Sequence, residues 1–463
     1  ILVSSLEFWS HFLPLTLLAY FAAPFRGKGY VLLIASLIFY GIAQPSLLPL
    51  LLFVCLLNYA LGFFIYTLGD GRGANILVGV AVIANAGILL AFKYLDPMLM
   101  LFGFEPLGIE LPVGISFYIF QALSYVLDVR RHVCEAQKNP FLFVAYVSLF
   151  PQLVAGPIVR YSDVATELKK RKHSLFKCVE GVRLFAVGLA KKLLLANGAG
   201  ESYERLARYS EHNGTVLGAW LCIIFFSFQI YFDFSGYSDM ARGLGRIFAF
   251  EFPENFRYPY VSRSITEFWR RWHITLSSWF REYVYIPLGG NRRGIARTYL
   301  NLLAVWLLTG IWHGAAVNFL LWGLYFFVII ALEKTFILKL IDRAPRFFGH
   351  AYALMLILIG WLIFESNGTL GDGRALLVFG QMLGVGCSLW SNDALFELLR
   401  NIPFLLIMAI GCTPFAFNVF AKLRLKRPLA FSALANALSV FLLIICTCYI
   451  VDSGYNPFLY FRF

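Results

Sequence analysis

From Arg263 to Gly294 the chain reads RSITEFWRRWHITLSSWFREYVYIPLGGNRRG, and one apolar run later IWHGAAVNF, from Ile311, sets a second histidine beside a glycine. In the first stretch Ile265, Phe268, Trp269, Trp272, Leu276, Trp279, Phe280 and Tyr283 recur at the i, i+3, i+4, i+7 spacing of one helical face. Glu267, Arg270, Arg271, Ser277, Ser278 and Arg281 fall mainly on the other. The spacing predicts one amphipathic helix lying along a membrane surface, Trp residues at headgroup level and Arg residues toward cytosol or a water-filled mouth. His273 falls where the two stripes meet, as an interfacial residue or a functional one. Pro287, Gly289, Gly290 and Asn291 then make a tight turn whose N–H groups either contact phosphate or only reverse the chain.

Composition sets the class around this stretch. The 463 residues are 60% hydrophobic and 14% charged, too little charge for a soluble surface. The 47 Phe, 24 Tyr and 10 Trp suit helices that face lipid and its interfaces. Apolar runs recur along the whole chain, so it reads as one integral domain, residues 1–463, with no soluble domain on an anchor. The expected fold is all-α: a polytopic integral membrane protein with about 10–13 transmembrane or re-entrant helices plus interfacial amphipathic helices. Net charge is +13, and between Arg257 and Arg297 eight Arg face only Glu267 and Glu282. Basic residues lying between apolar spans are topology signals that also meet anionic membrane lipids, which argues against nucleic acid as a partner. The eight Cys are scattered without CxxC spacing and read as small apolar core residues, with no disulfide framework and no metal site. The first apolar run precedes Arg26 and Lys28, the reverse of a secretory signal, and is expected to be a retained span starting outside.

The basic clusters at Arg26/Lys28, Arg130/Arg131, Lys169 to Lys172, Arg257 to Arg297, Lys334 to Arg346 and Lys422 to Arg427 should be cytoplasmic. Strict alternation of the runs at 350–364, 375–390 and 402–421 puts the last cluster outside, so one of the three does not cross. Glu201 to Asn213 carries both charge signs and is expected to be an external loop. Asn213-Gly-Thr and Asn367-Gly-Thr read as turns rather than glycan acceptors. LPVGISFYIF from Leu111 and FPQLVAGPIV from Phe150 are broken by Pro and Gly, as in re-entrant or tilted helices lining a protein-enclosed cavity.

His313 directly follows a run, Thr298 to Trp312, of 15 residues. As a helix it rises roughly 22 Å, short of the roughly 30 Å hydrocarbon core, so His313 is expected deep in the membrane. Gly310 and Gly314 bracket it and let another backbone or a ligand approach. A buried histidine there is either a packed core residue or a functional one. A buried imidazole behind an Arg-lined mouth suits acyl transfer from an anionic thioester such as acyl-CoA: Arg residues hold phosphates while neutral imidazole takes a proton from a hydroxyl. No Cys or Ser pairs convincingly with a His, Cys178 after His173 included, so no covalent acyl-enzyme is expected. In YFDFSGYSDM the carboxylates Asp233 and Asp239 are expected to pair with Arg242, Arg246 or the Arg270/Arg271 pair, or to shape the donor site.

FWRRWHITLSSWFREYVYIPLGGNRRG and LTGIWHGAAVNFLLWG together resemble the signature of the membrane-bound O-acyltransferase (MBOAT) family, in its bacterial branch typified by the alginate O-acetyltransferase membrane subunit. Supporting stretches are LPVGISFYIFQALSYVLDVRR from Leu111, FPQLVAGPIVRYSD from Phe150 and YFDFSGYSDMARGLGRIFAFEFPENFRYPY from Tyr231. The resemblance implies helices around a catalytic tunnel, His313 as the catalytic residue and His273 as a second characteristic position that orients donor or acceptor. It implies an acetyltransferase of a bacterial inner membrane that draws on acetyl-CoA, needs no metal or prosthetic group, and delivers acetyl across the membrane. The acceptor would be a hydroxyl for O-acetylation of a cell-surface glycan, by way of an extracytoplasmic acetyltransferase or esterase-like partner protein or directly. Arg270, Arg271, Trp272, Arg281 and Asn291 are the expected donor-binding residues. Two rivals are an acyltransferase of the same family acting on lipid or protein, and a transporter with His in a proton relay, although the chain lacks the paired halves usual in transporters.

Overall fold

The computed structural model describes residues 3–366, 371 and 373–452, and the Asn367 turn lies outside them. Among the described residues every extended regular element is a helix. Contacts gather into two units, Ile1–Phe185 with Tyr237–Glu254, and Ala186–Gly236 with Asn255–Phe463.

In the first unit the helices are α1 (Leu13–Ala22), α2 (Lys28–Ala43), α3 (Leu48–Leu68), α4 (Arg72–Leu101), α5 (Ile115–Arg130), α6 (Pro140–Ser148), α7 (Phe150–Leu153), α8 (Tyr161–Lys169) and most of α9 (Leu175–Ala190). Phe12, Phe39 and Phe150 meet with ring centroids 5.1–5.8 Å apart. Buried Asn58 and Asn85 exchange amide hydrogen bonds of 3.0 and 2.8 Å, a polar fastener between the apolar α3 and α4. The LPVG break is a point of close packing: Gly114 has φ +74°, and a Cβ there would lie 2.2 Å from the Leu153 carbonyl oxygen.

The second unit holds α10 (Asn197–Asn213), most of α11 (Val216–Ile247), α12 (Ile265–Arg271), α13 (Ile274–Phe280), α14 (Ile295–His313), α15 (Val317–Leu332), α16 (Leu338–Arg343), α17 (Arg346–Glu365), α18 (Arg374–Met382), α19 (Asn392–Gly411), α20 (Phe415–Lys426) and α21 (Pro428–Asp452). Residues 201–213 form most of α10 instead of the expected loop, because Tyr203, Leu206, Ala207 and Ser210 recur at helical spacing and bury one face while the charges take the other.

Seven helices among the described residues are long and apolar enough to cross a membrane: Pro45–Leu68, α4, α11, α14, α17, α19 and α21. Shorter apolar stretches, Phe8–Ala22 and Lys28–Ala43, accompany them. This is the architecture of a multi-pass membrane protein. Of the runs after residue 350, α17 and α19 have 20 residues each, while α18 has 9 and rises only about 14 Å. The 375–390 run is therefore the one too short to cross, and with α17 and α19 as the crossing helices the positive-inside expectation for Lys422 to Arg427 is met.

Helix α14 has 19 residues, starting at Ile295 because Ala296 and Arg297 favour helix although they dilute the apolar run. It rises about 28 Å, close to the hydrocarbon thickness, and so does not stop as far short of it as the apolar run alone predicts. Against it lies α15, so closely that a Cβ at Gly323 would be 2.4 Å from the Trp306 carbonyl oxygen and one at Gly310 2.5 Å from that of Phe319. Both atoms are backbone and cannot swing aside. Gly323→Val is expected to destabilise the protein by about 1–3 kcal/mol or more through overpacking, read as a lower thermal midpoint in detergent.

Candidate active site

The expected continuous helix of Ile265 to Tyr283 is broken in the middle. Helices α12 and α13 have seven residues each, and His273 between them takes the left-handed conformation, φ 43° and ψ 54°. The break turns Trp272 and His273 inward, where they are 4% and 2% exposed, so neither side chain is free to anchor in lipid headgroups. Trp279 is buried as well. The break takes only two residues, Trp272 and His273, and the apolar positions on both sides keep their spacing in sequence, which is why the stripe reads as continuous.

Local hydrogen bonds account for the break. Asn255 O accepts from Ile274 N–H at 3.0 Å, and Asn255 Oδ1 accepts from Thr275 N–H at 3.2 Å and from Thr275 Oγ1–H at 2.9 Å. The same Oδ1 lies 3.0 Å from His273 Nδ1. An atom that accepts from a backbone N–H is the oxygen of the amide, so Nδ1 carries the proton and donates. Burial pushes the His273 imidazolium down to about 3, so the ring is neutral at physiological pH and Nε2 keeps its lone pair. Upstream, Ser264 Oγ accepts from Glu267 N–H at 3.0 Å, capping α12. The buried Glu333 carboxylate accepts from Ile265 N–H, Thr266 N–H and Thr266 Oγ1–H at 2.6, 2.7 and 2.6 Å. A carboxylate on the N-terminus of α12 thus fixes the helix that delivers His273. Glu333→Ala is expected to destabilise the protein by about 1–3 kcal/mol, leaving buried donors unmet, with a lowered thermal midpoint as the check.

His313 is the last residue of α14, 9% exposed. Rings wall it in: Trp312 at 4.8 Å, Trp322 at 5.0 Å and Phe364 at 5.1 Å between centroids. Trp312 also lies 6.2 Å from the His273 ring, so one indole borders both imidazoles. Asn318 Nδ2 donates to Ile363 O and Phe364 O at 3.3 and 2.8 Å, tying the WHGAAVN segment to the end of α17. At Gly314 a Cβ would lie 2.8 Å from the Phe319 ring, so the residue after His313 must be small.

His273 and His313 line a single pocket with Trp269, Trp272, Leu276, Trp322, Trp361, Phe364, Ile230, Asp233 and Phe234, an empty volume of ≈ 470 Å³ with its open mouth included. Its walls are aromatic and apolar, with few polar groups: two imidazoles, one carboxylate and indole N–H donors. The indole N–H groups of Trp269 and Trp322 are buried and meet no acceptor among the described residues. Asp233 is ion-paired with Lys192 Nζ at 2.8 Å, and that ammonium also donates to Asn197 Oδ1 at 2.9 Å.

Of the expected catalytic and donor-binding residues, Trp272, His273 and His313 come together here, with Asp233 beside them. Arg270, Arg281 and Asn291 are exposed and outside the pocket lining. Arg271 is partly buried and ion-paired with Glu267 at 2.8 Å, Arg281 pairs with Glu282 at 2.7 Å, and Asn291 accepts from the Tyr285 hydroxyl. Asp239 pairs with Arg242 at 3.5 Å as expected, whereas Asp233 takes Lys192 in place of an arginine. Lys192, Asn255 and Glu333 carry no local signal that links them to the motif. Their contacts join distant parts of the chain, and only the fold brings them together.

The model of the MBOAT, membrane-bound O-acyltransferase family, matches residues 89–364. The probable alginate O-acetylase AlgI of Pseudomonas putida is 36% identical over 99% of both chains. The peptidoglycan O-acetyltransferase of Helicobacter pylori is 34% identical over 81% of this chain and 78% of its own. The teichoic acid D-alanyltransferase of Bacillus subtilis is 27% identical over 48% of this chain and 59% of its own. With both histidines of the motif in one pocket and the family match spanning the segment that builds it, the chain belongs to the membrane-bound O-acyltransferase family and is an O-acyltransferase.

Proposed function

We propose that this protein moves an acetyl group from acetyl-CoA on the cytoplasmic side of a bacterial inner membrane to a hydroxyl acceptor serving O-acetylation of a cell-surface polysaccharide. The observation that carries the reading is the meeting of His273 and His313 in one aromatic pocket. His313 is the general base: its imidazole takes the proton of the acceptor hydroxyl as that oxygen attacks the thioester carbonyl. When the C–S bond breaks, the departing thiolate takes the same proton back from the imidazolium. His273, fixed by Asn255 with its Nε2 lone pair available, orients the reacting groups. Trp269 and Trp322 supply N–H donors for the carbonyl oxygen, where negative charge develops.

The exposed Arg270 and the partly exposed Arg271 sit on α12, and the exposed Arg281 directly follows α13, an arrangement suited to holding phosphates outside while the thioester enters. The names of the Pseudomonas and Helicobacter relatives support a glycan acceptor. The acceptor hydroxyl belongs to that glycan or to an extracytoplasmic partner protein that passes the acetyl on.

Purified protein in detergent should release CoA from acetyl-CoA without any ion gradient. Absence of CoA release in the presence of a hydroxyl acceptor would remove acetyl-CoA as donor. Trp322→Phe keeps an aromatic ring, although a smaller one, and deletes the donor, and is expected to lower kcat by about 10–10²-fold with little change in KM. An equal rise in KM with constant kcat would assign Trp322 to ground-state binding instead.

A further inference from the structure

Outside the active site, the first unit buries a guanidinium with no anion beside it. Arg171, in the segment joining α8 to α9, is 7% exposed, with its guanidinium carbon 5.1 Å from the Phe250 ring centre and 5.7 Å from that of Tyr20. Its Nη1 is buried and meets no hydrogen-bond acceptor among the described residues. Lys28 Nζ stands 4.7 Å from the centre of the same Tyr20 ring and 5.1 Å from that of Phe21. His173 Nε2 lies 3.3 Å from Tyr20 Oη, whose own hydrogen goes to the Phe248 carbonyl at 3.0 Å. Three basic side chains therefore converge on one tyrosine, and none has a carboxylate partner among the described residues. Glu251 is held instead by Lys177 at 3.1 Å and Arg246 at 3.4 Å.

Aromatic faces offset part of the cost of burying such charge, but a buried cation is ordinarily paired. His173 is held below its usual range by burial and by the Lys28 and Arg171 charges, so the three groups raise one another's cost. Beside them Phe21, Phe25, Leu175 and Phe176 present apolar side chains that are 49%, 49%, 82% and 61% exposed. A buried guanidinium with a half-buried ammonium and an exposed imidazole beside it, next to exposed apolar residues in a membrane protein, fits an amphiphile with an anionic head and hydrocarbon tails.

We propose that Arg171, Lys28 and His173 form a binding site for the phosphate of an anionic phospholipid whose acyl chains lie along Phe21, Phe25, Leu175 and Phe176. The site is separate from the pocket of the two histidines and does not depend on the acyltransferase reading. Native mass spectrometry of the full chain, released from micelles containing equal phosphatidylglycerol and phosphatidylcholine, tests it. The wild type is expected to retain phosphatidylglycerol selectively. Lys28→Gln and Arg171→Gln should each weaken that retention by about tenfold, and Lys28→Gln keeps the test open if the buried substitution prevents folding. Equal retention of the two lipids, or retention unchanged in a folded variant, would overturn the proposal. So would displacement of the lipid by millimolar inorganic phosphate or by CoA, which would make the site one for a soluble anion.

Discussion

His313→Ala is expected to reduce acetyl transfer by about 10²–10⁴-fold, the range that a positioned general base contributes, while the protein remains folded and inserted. The ring is held by Trp312, Trp322 and Phe364, and its removal leaves those aromatic walls in place. Lost packing costs stability, so the comparison must be made on variant that elutes as folded protein, at saturating donor. His313→Gln supplies the needed control. It keeps a polar side chain of similar reach with no group that can take a proton near neutral pH, and its turnover should fall with that of His313→Ala. A glutamine variant near wild-type turnover would reassign His313 to structure.

The second large effect is expected at Asn255, which is not among the residues that line the pocket but holds one that is, His273. Asn255→Ala removes the acceptor of Nδ1–H and of two donors from Thr275, and is expected to lower kcat by about 10–10²-fold through misplacement of the ring. Asn255→Asp is more informative because it changes charge with little change in shape. In the wild type the imidazolium is pushed down to about 3, so His273 contributes no limb to the pH profile of transfer above about pH 4. A carboxylate at Nδ1 favours the imidazolium and raises that value. Protonated Nε2 cannot accept, so the variant should lose activity as pH falls through the raised value, at a pH where the wild type is unaffected. Superimposable profiles for wild type and Asn255→Asp would separate His273 from the reaction. The sign for stability is the same: the folded value lies below the usual value of about 6.5, so acidification through that region favours the unfolded state.

Much of this was legible in the residues because it rests on local chemistry. Apolar length identifies α3 and α4 as spans, and the Gly310 and Gly314 bracket foretells the close approach of α15 to His313. Other features depend on contacts that a linear reading does not contain. The break at His273 arises from Asn255, the support of α12 from Glu333, and the partner of Asp233 is Lys192, each distant in sequence. Periodicity could not separate one helix from two, because an inward-facing stripe of Trp and Phe looks the same in both. Trp269, Trp272 and Trp279 therefore read as interfacial anchors when Trp269 and Trp272 line the pocket and Trp279 is buried. Charge misled in a similar way at residues 201–213, where both signs on an exposed face concealed a buried one.

The most direct test is a structure of the protein bound to acetonyl-CoA, a thioether ketone that occupies a donor site and cannot transfer its acetyl-like group. The ketone carbon is expected inside the pocket lined by His273, Trp322 and His313, with its oxygen within hydrogen-bond reach of an indole N–H and the CoA phosphates toward Arg270, Arg271 and Arg281. A ketone bound elsewhere, with both imidazoles packed out of reach of it, would contradict the assignment of this pocket as the place of acyl transfer.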